Sequence, residues 1–363
     1  MSTPARVVVL PVADGPLEVH DLNLPDPTEN QVLVKQFASG ICHSQLHQMH
    51  RPRRVATLLG HESTGVVLKK GSGVTHVEEG DTVLVTWVPR NASEDRSVPG
   101  PVTLQLTNDN AFTGNVFTWA DHTIADEKFV VKVRENIAKD VTAIIGCAVM
   151  TGAGAVINTA NVQEDQSVAI FGVGGVGLSA VVGAKSRNAN PIIAVDLDEE
   201  KLEFARKFGA THTVNASKSN AIEAIHEIAG APNEFSIAGT PVTGVDFAFD
   251  CIGLKVTMEQ IVDAVRPGHF GARQGGTAVL VGVPGTSVEL NAGNILGTEK
   301  QFRGSIGGSC CPDRDFPMFL DWHDKGLLDL DSMVTERFTI DQINEATTAL
   351  EEGKISGRSI MEF

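Results

Sequence analysis

The spacing of apolar residues along the chain changes character twice. Over residues 1 to 149 the apolar runs are short and β-branched, as in RVVVL, QVLVKQF, STGVVLKK, DTVLVTWV and VVKV, with Gly, Pro and Asp between them. This pattern predicts short strands joined by turns. From residue 150 to 308, strand-like runs (VAIF, PIIAVD, THTVN, VDFAFDCIG, GTAVLVGVP) alternate with segments of helical spacing (EEKLEFARKFGA, AIEAIHEIA, TMEQIVDAV). Alternation of this length predicts a parallel sheet covered by helices on both faces. Beyond it, FPMFLDWHDKGLL and IDQINEATTALEEG have helical spacing and GRSIMEF reads as a closing strand, so the tail is expected to rejoin the first half. The chain therefore reads as α/β, with a β-rich domain from residues 1–149 and 309–363 and a doubly wound domain from residues 150–308. Residues 89–114 and 230–244 show no clear period and are expected to be loops.

The second domain opens with VAIFGVGGVGLSAVVGAKSRNANPIIAVDLDEEK, residues 168 to 201. A strand reaches Gly172, turns through Gly174 and Gly175 to Gly177, enters a helix, and is followed by a second strand that stops at Asp196. In such a unit Gly172 permits the tight turn, Gly174 lets the backbone approach a pyrophosphate, and Gly177 lets helix and strand pack closely. The helix N-terminus offers free N–H groups to phosphate, and the terminal acid accepts hydrogen bonds from ribose hydroxyls. Strand, helix, second strand and acid are all in place, so a dinucleotide is expected. Asp196 favours NAD, because its charge repels the 2′-phosphate of NADP; an NADPH-linked enone reductase is disfavoured on the same ground.

Composition narrows the partners. The chain has 363 residues with 45 acidic against 29 basic side chains, a net charge of −16 without a basic block. Nucleic acid and anionic membranes are therefore not expected as partners. No apolar run is long enough to span a bilayer and the start has no secretory pattern, so the expected location is the cytoplasm. Five cysteines without framework spacing are expected to be reduced, and the sequon Asn91-Ala92-Ser93 is read as chance.

Three further segments carry metal donors: GICHSQLHQMH with Cys42, LLGHESTGVV with His61 beside Glu62, and IIGCAVMTGAGAV with Cys147. Two thiolates and an imidazole with a fourth position open make a catalytic zinc set, since a structural site fills all four. Spacing alone does not bring them together, and a lone buried cysteine is commonly a core residue. These segments, with FGVGGVGLSA, VGVPG, RGSIGGS and GRSIMEF in this order, resemble the medium-chain zinc-dependent alcohol dehydrogenases over nearly the whole chain.

The resemblance implies a GroES-like catalytic domain from both chain ends and an inserted Rossmann domain, with the chemistry in the cleft between them. It implies Cys42, His61 and Cys147 as ligands of one catalytic zinc, Ser44 and His47 as a proton relay, and Glu62 as a group behind the metal or an alternate ligand. Toward the cofactor it implies His43 on the pyrophosphate, Thr151 under the nicotinamide, Val176 behind it, and Lys201 as a second ribose contact beside Gly172, Gly174, Gly175, Gly177 and Asp196. Trp87 aligns with an aromatic pocket position, and Phe117 is expected near the same pocket. His50 and His122 have no counterpart and are expected to be structural or exposed.

Three departures stand out. No cysteine lies between residues 88 and 146, and Asn91 stands where the first of four structural-zinc cysteines would fall, so no structural zinc is expected. The nearby Glu94, Asp95 and Arg96 read as a solvated cluster. Gln45 stands where many relatives have an aspartate on the zinc-binding histidine, which predicts a more acidic metal or weaker retention. Met361 stands where the family often has an arginine on the pyrophosphate.

The expected function is a zinc-dependent, NAD-linked alcohol dehydrogenase for a primary or secondary alcohol, forming a homodimer or homotetramer. A thiol-dependent formaldehyde dehydrogenase and a nicotinoprotein that retains its NAD are the nearest alternatives. A crystallin-like or scaffolding member of the superfamily is the non-enzymatic one.

Overall fold

The computed structural model describes residues 2–91, 101–106, 110–230, 235, 241–268 and 274–363. The chain divides into two compact units, one of Met1–Ala148 with Cys311–Phe363 and one of Val149–Cys310.

In the second unit six strands form a wholly parallel sheet in the order His212–Asn215, Ile192–Asp196, Val168–Phe171, Phe247–Asp250, Thr277–Leu280, Gln301–Gly304. Chain order reverses beside Val168–Phe171, the first strand, which lies between the second and the fourth. In a doubly wound sheet the crevice for a ligand opens at the carboxyl ends of the strands at that reversal. Ala169, Phe171, Ile193, Val195, Ala248 and Ala278 are buried on the sheet, and Ile225, Ile261 and Val262 cover it from helices. Burial on both faces explains why these strands are continuous apolar runs rather than alternating ones.

The first unit is built from a five-stranded and a seven-stranded sheet. The long strand Gln31–Ile41 organises the larger sheet, pairing antiparallel with Ser63–Lys70, His122–Asp126 and the C-terminal strand Arg358–Glu362. The tail thus returns to the N-terminal sheet. Ile343, Ala346 and Leu350 of the helix Ile343–Glu351 pack with Val8, Leu59, Trp119 and Met361.

Part of the expected loop 89–114 is a hairpin. Strands Val102–Gln105 and Asn110–Thr113 pair antiparallel, and the second also pairs with Ala56–Leu58. Their burial alternates, with Val102, Leu104 and Ala111 facing the core. Four residues per strand is too short for that period to stand out in the sequence. Glu94, Asp95 and Arg96, with Ala92 and Ser93 of the sequon, lie outside the described residues, as does most of the expected loop 230–244. Strand Val334–Thr339, parallel to the last strand, was not foreseen.

Candidate metal and dinucleotide sites

Cys42 follows the strand Gln31–Ile41 and sits, extended, at the N-cap position of the helix His43–Met49, without a side-chain capping bond. His61 follows Gly60, whose φ of +91° is open to glycine, and whose added Cβ would lie 2.4 Å from Trp119 N. Cys147 follows the helical turn Val141–Gly146, tied to the sheet by Thr86 Oγ1 donating to Gly146 O at 2.7 Å. Donor atoms of Cys42, His61, Glu62 and Cys147 lie within 4.8 Å of one another, the only such group among the described residues.

The donor set fits tetrahedral zinc. Cys42 Sγ and Cys147 Sγ are 3.9 Å apart; two Zn–S bonds of about 2.3 Å at the tetrahedral angle span about 3.8 Å. His61 Nδ1 is taken by Gln45, and its Nε2 is buried without a hydrogen-bond partner, an orphan that a metal would satisfy. The contact with Cys147, with Arg358 and His61 nearby, holds the Cys42 thiol well below its usual range, while the same contact and burial push Cys147 up.

Glu62 is fully buried and already engaged. One oxygen pairs with Arg358 and the other accepts from Ala148 N–H at 3.4 Å. Burial pushes its carboxyl up to about 7 even against the Arg358 charge. Gly40 makes room for it, since a Cβ there would lie 2.3 Å from Glu62 Oε1. Arg358 was missed in the sequence. It is buried, and Glu62 and both thiols keep it charged despite that burial. An arginine opening a short closing strand, two residues before the apolar pair Ile360 and Met361, is the signal that could have found it. Met361, three residues on, is buried in the apolar core.

Ser44 and His47 lie one turn apart on the helix His43–Met49, with Ser44 Oγ donating to Cys42 Sγ at 3.4 Å and His47 exposed. His43 is exposed on the same helix. Trp87 is partly buried, edge-on to His61 with ring centroids 6.4 Å apart, and its Nε1 is buried without a partner. Phe117 requires correction: it is wholly buried among Val7, Leu33, Leu58 and Ile124, so it fills the core rather than a pocket. His50 bonds Asp14 at 2.6 Å, which raises its pKa, and His122 bonds Asp121 at 2.9 Å.

In the second unit the glycines of the turn differ in what surrounds them. Gly172 has a φ of +83°, and a Cβ on Gly177 would lie 1.8 Å from Gly172 O, so helix Gly175–Ser186 meets the strand without space for a side chain. A Cβ on Gly174 would meet nothing within 4 Å. That open space, at the carboxyl end of the first strand, fits a pyrophosphate approaching the backbone. Asp196 ends the second strand, its Oδ2 accepting from Val173 N–H at 3.0 Å and its Oδ1 from Leu197 and Asp198 N–H. Val176, in the helix's first turn, is partly buried, as is Lys201 on the helix Glu199–Phe208. Thr151 Oγ1 is buried without a partner.

Two family models match the chain: an alcohol dehydrogenase GroES-like domain over residues 28–135 and a zinc-binding dehydrogenase over residues 175–325. The alcohol dehydrogenase class-3 of Cereibacter sphaeroides is 31% identical over 99% of both chains. The S-(hydroxymethyl)glutathione dehydrogenase of Paracoccus denitrificans is 30% identical over 98% of this chain and 99% of its own. Among solved structures, the alcohol dehydrogenase zinc-binding domain protein from Burkholderia ambifaria superposes with a TM-score of 0.87 at 27% identity, each chain fully covered. The benzyl alcohol dehydrogenase of Acinetobacter calcoaceticus gives 0.84 at 27% over 99% of both. With its donor set, its glycine turn and end-to-end similarity to these relatives, the chain belongs to the medium-chain zinc-dependent alcohol dehydrogenase family, oxidoreductases acting on CH–OH groups.

Proposed function

We propose that this chain is a zinc-dependent, NAD-linked alcohol dehydrogenase interconverting a primary or secondary alcohol with its aldehyde or ketone. The observation that carries the reading is the pair of sulfurs 3.9 Å apart beside an orphaned imidazole nitrogen. Cys42, Cys147 and His61 Nε2 would hold one zinc, which supplies Lewis acidity to an alcohol or carbonyl oxygen. Two thiolates balance its charge and leave a position open for substrate. Glu62, engaged by Arg358 and Ala148, stands behind the set rather than in it.

Ser44, against Cys42, would accept the hydroxyl proton of the alcohol as it gives up its own toward His47, which on the exposed side of the same helix would pass a proton to solvent. Trp87 narrows the substrate site. Gly172, Gly174, Gly175 and Gly177 with the helix N-terminus hold the pyrophosphate of NAD, assisted by His43. Asp196 and Lys201 bind the ribose, and Thr151 and Val176 support the nicotinamide. Asp196 accepts three N–H bonds, and a carboxylate has about four lone-pair sites, which leaves capacity for a ribose hydroxyl.

A second reading is favoured by the Paracoccus relative, which acts on S-(hydroxymethyl)glutathione by name. A panel of alcohols and aldehydes with NAD and NADH, including formaldehyde with and without glutathione, separates the two. Oxidation of simple alcohols without thiol supports the first, and strict glutathione dependence replaces it with the second. Release of nucleotide on denaturing the purified protein marks a nicotinoprotein. A scaffolding role has no need of an open metal position.

The proposed location is the cytoplasm; among the described residues no helix is long and apolar enough to cross a membrane. Leu296 and Ile306, 82% and 78% exposed, flank the edge strand Gln301–Gly304 and support a homodimer or homotetramer; sedimentation as a monomer contradicts that.

A further inference from the structure

The Gln45 carboxamide is buried and makes three hydrogen bonds. Its Oε1 accepts from Gly60 N–H at 2.5 Å, and its Nε2 lies 2.6 Å from His61 Nδ1 and 3.4 Å from Gln48 Oε1. A main-chain N–H only donates, so the atom facing Gly60 is the carboxamide oxygen, and the group facing His61 Nδ1 is the NH2. Exchanging oxygen and nitrogen would set two donors against each other at Gly60. The Gly60 backbone cannot easily yield, because it is packed against Thr118 and Trp119.

The direction of that bond fixes the proton on the ring. Nδ1 receives a donor, so it carries the lone pair, and the neutral imidazole has its hydrogen on Nε2. Nε2 is the buried nitrogen without a partner, the one left for a metal. A metal takes a lone pair there, which requires the other tautomer, with Nδ1–H donating to an acceptor. Gln45 presents a donor where that acceptor is needed.

We propose that Gln45 holds His61 in the tautomer that cannot bind metal, so that zinc loading requires the carboxamide to turn over and give up its bonds to Gly60 and Gln48. The inference rests on reading Cys42, His61 and Cys147 as the zinc set. In the loaded form the Gly60 N–H faces an NH2, so the site releases zinc more readily than a carboxylate at this position would allow. Glutamate has the same shape and two acceptor oxygens, one for Gly60 N–H and one for Nδ1–H, with no turn required. Gln45 acts through His61 and is a positioning residue.

The test is nitrogen NMR of the His61 ring in zinc-free wild type and Gln45→Glu, with zinc affinity of both by chelator competition. The expected result is Nε2–H in the wild type, Nδ1–H in Gln45→Glu, and zinc bound about 10- to 100-fold more tightly by the variant. Nδ1–H in the zinc-free wild type overturns the proposal without reference to any variant, and unchanged affinity despite a switched tautomer also overturns it. The donor-set reading fails by a different sign, with Cys147→Ser binding zinc as tightly as the wild type.

Discussion

Val173 N–H donates to Asp196 Oδ2 at 3.0 Å, joining the glycine turn after the first strand to the acid that ends the second. The same carboxylate therefore braces the turn and, in the function proposed above, would also take a ribose hydroxyl. Asp196→Ala is expected to relax the NAD over NADP preference and also to weaken binding of both, because the turn loses its brace. An unchanged NAD to NADP ratio of kcat/KM would sink the ribose assignment.

Gly174 and Gly177 separate cofactor binding from folding. Alanine at 174 meets no protein atom within 4 Å, so Gly174→Ala should keep the wild-type Tm and lose NAD affinity by at least about tenfold, or about 1.4 kcal/mol. Alanine at 177 would press on Gly172 O, and Gly177→Ala should lose about 1–3 kcal/mol of stability. Calorimetry of NAD binding and thermal melts check both. Wild-type NAD affinity in Gly174→Ala contradicts a pyrophosphate at that turn.

Phe117→Ala is expected to cost about 3–5 kcal/mol, as for a large core side chain, with no change in relative kcat/KM among alcohols beyond that loss. Denaturant melts and the alcohol panel decide between core and pocket. A stable variant with altered substrate preference contradicts the core placement.

Acid sensitivity should centre partly on Asp246. Burial raises its carboxyl, but Ser167 N–H and O–H and Arg266 Nε, at 2.7–2.9 Å, outweigh it and lower the pKa. A folded pKa below the unfolded value of about 3.9 means the stabilisation is present above pH 4 and is lost as pH falls through the depressed folded value. The Tm gap between wild type and Asp246→Asn should be about 2–4 °C near pH 6 and close toward pH 3. A gap that is constant with pH contradicts it.

What was legible in the sequence was local. The turn from Gly172 to Gly177 and its acid lie within one strand–helix–strand unit, so their spacing carries their geometry. Cys42, His61 and Cys147 were legible only through resemblance, because the strand end, the Gly60 turn and the helical turn before Cys147 that bring them together are far apart in sequence. Arg358 was not read because its partner, Glu62, is 296 residues away. Phe117 was misplaced because an aromatic near pocket segments looks the same in sequence whichever way its side chain faces.

Removal and return of the metal tests the proposed enzyme most directly. The protein is stripped of zinc by chelation, NADH formation from a panel of primary and secondary alcohols is followed, and zinc is then added back and counted. The expected result is one zinc per chain, no turnover without it and recovery with zinc, and neither zinc uptake nor recovery in Cys147→Ser. NADH formation by the zinc-free protein, or full zinc and turnover in Cys147→Ser, would contradict it.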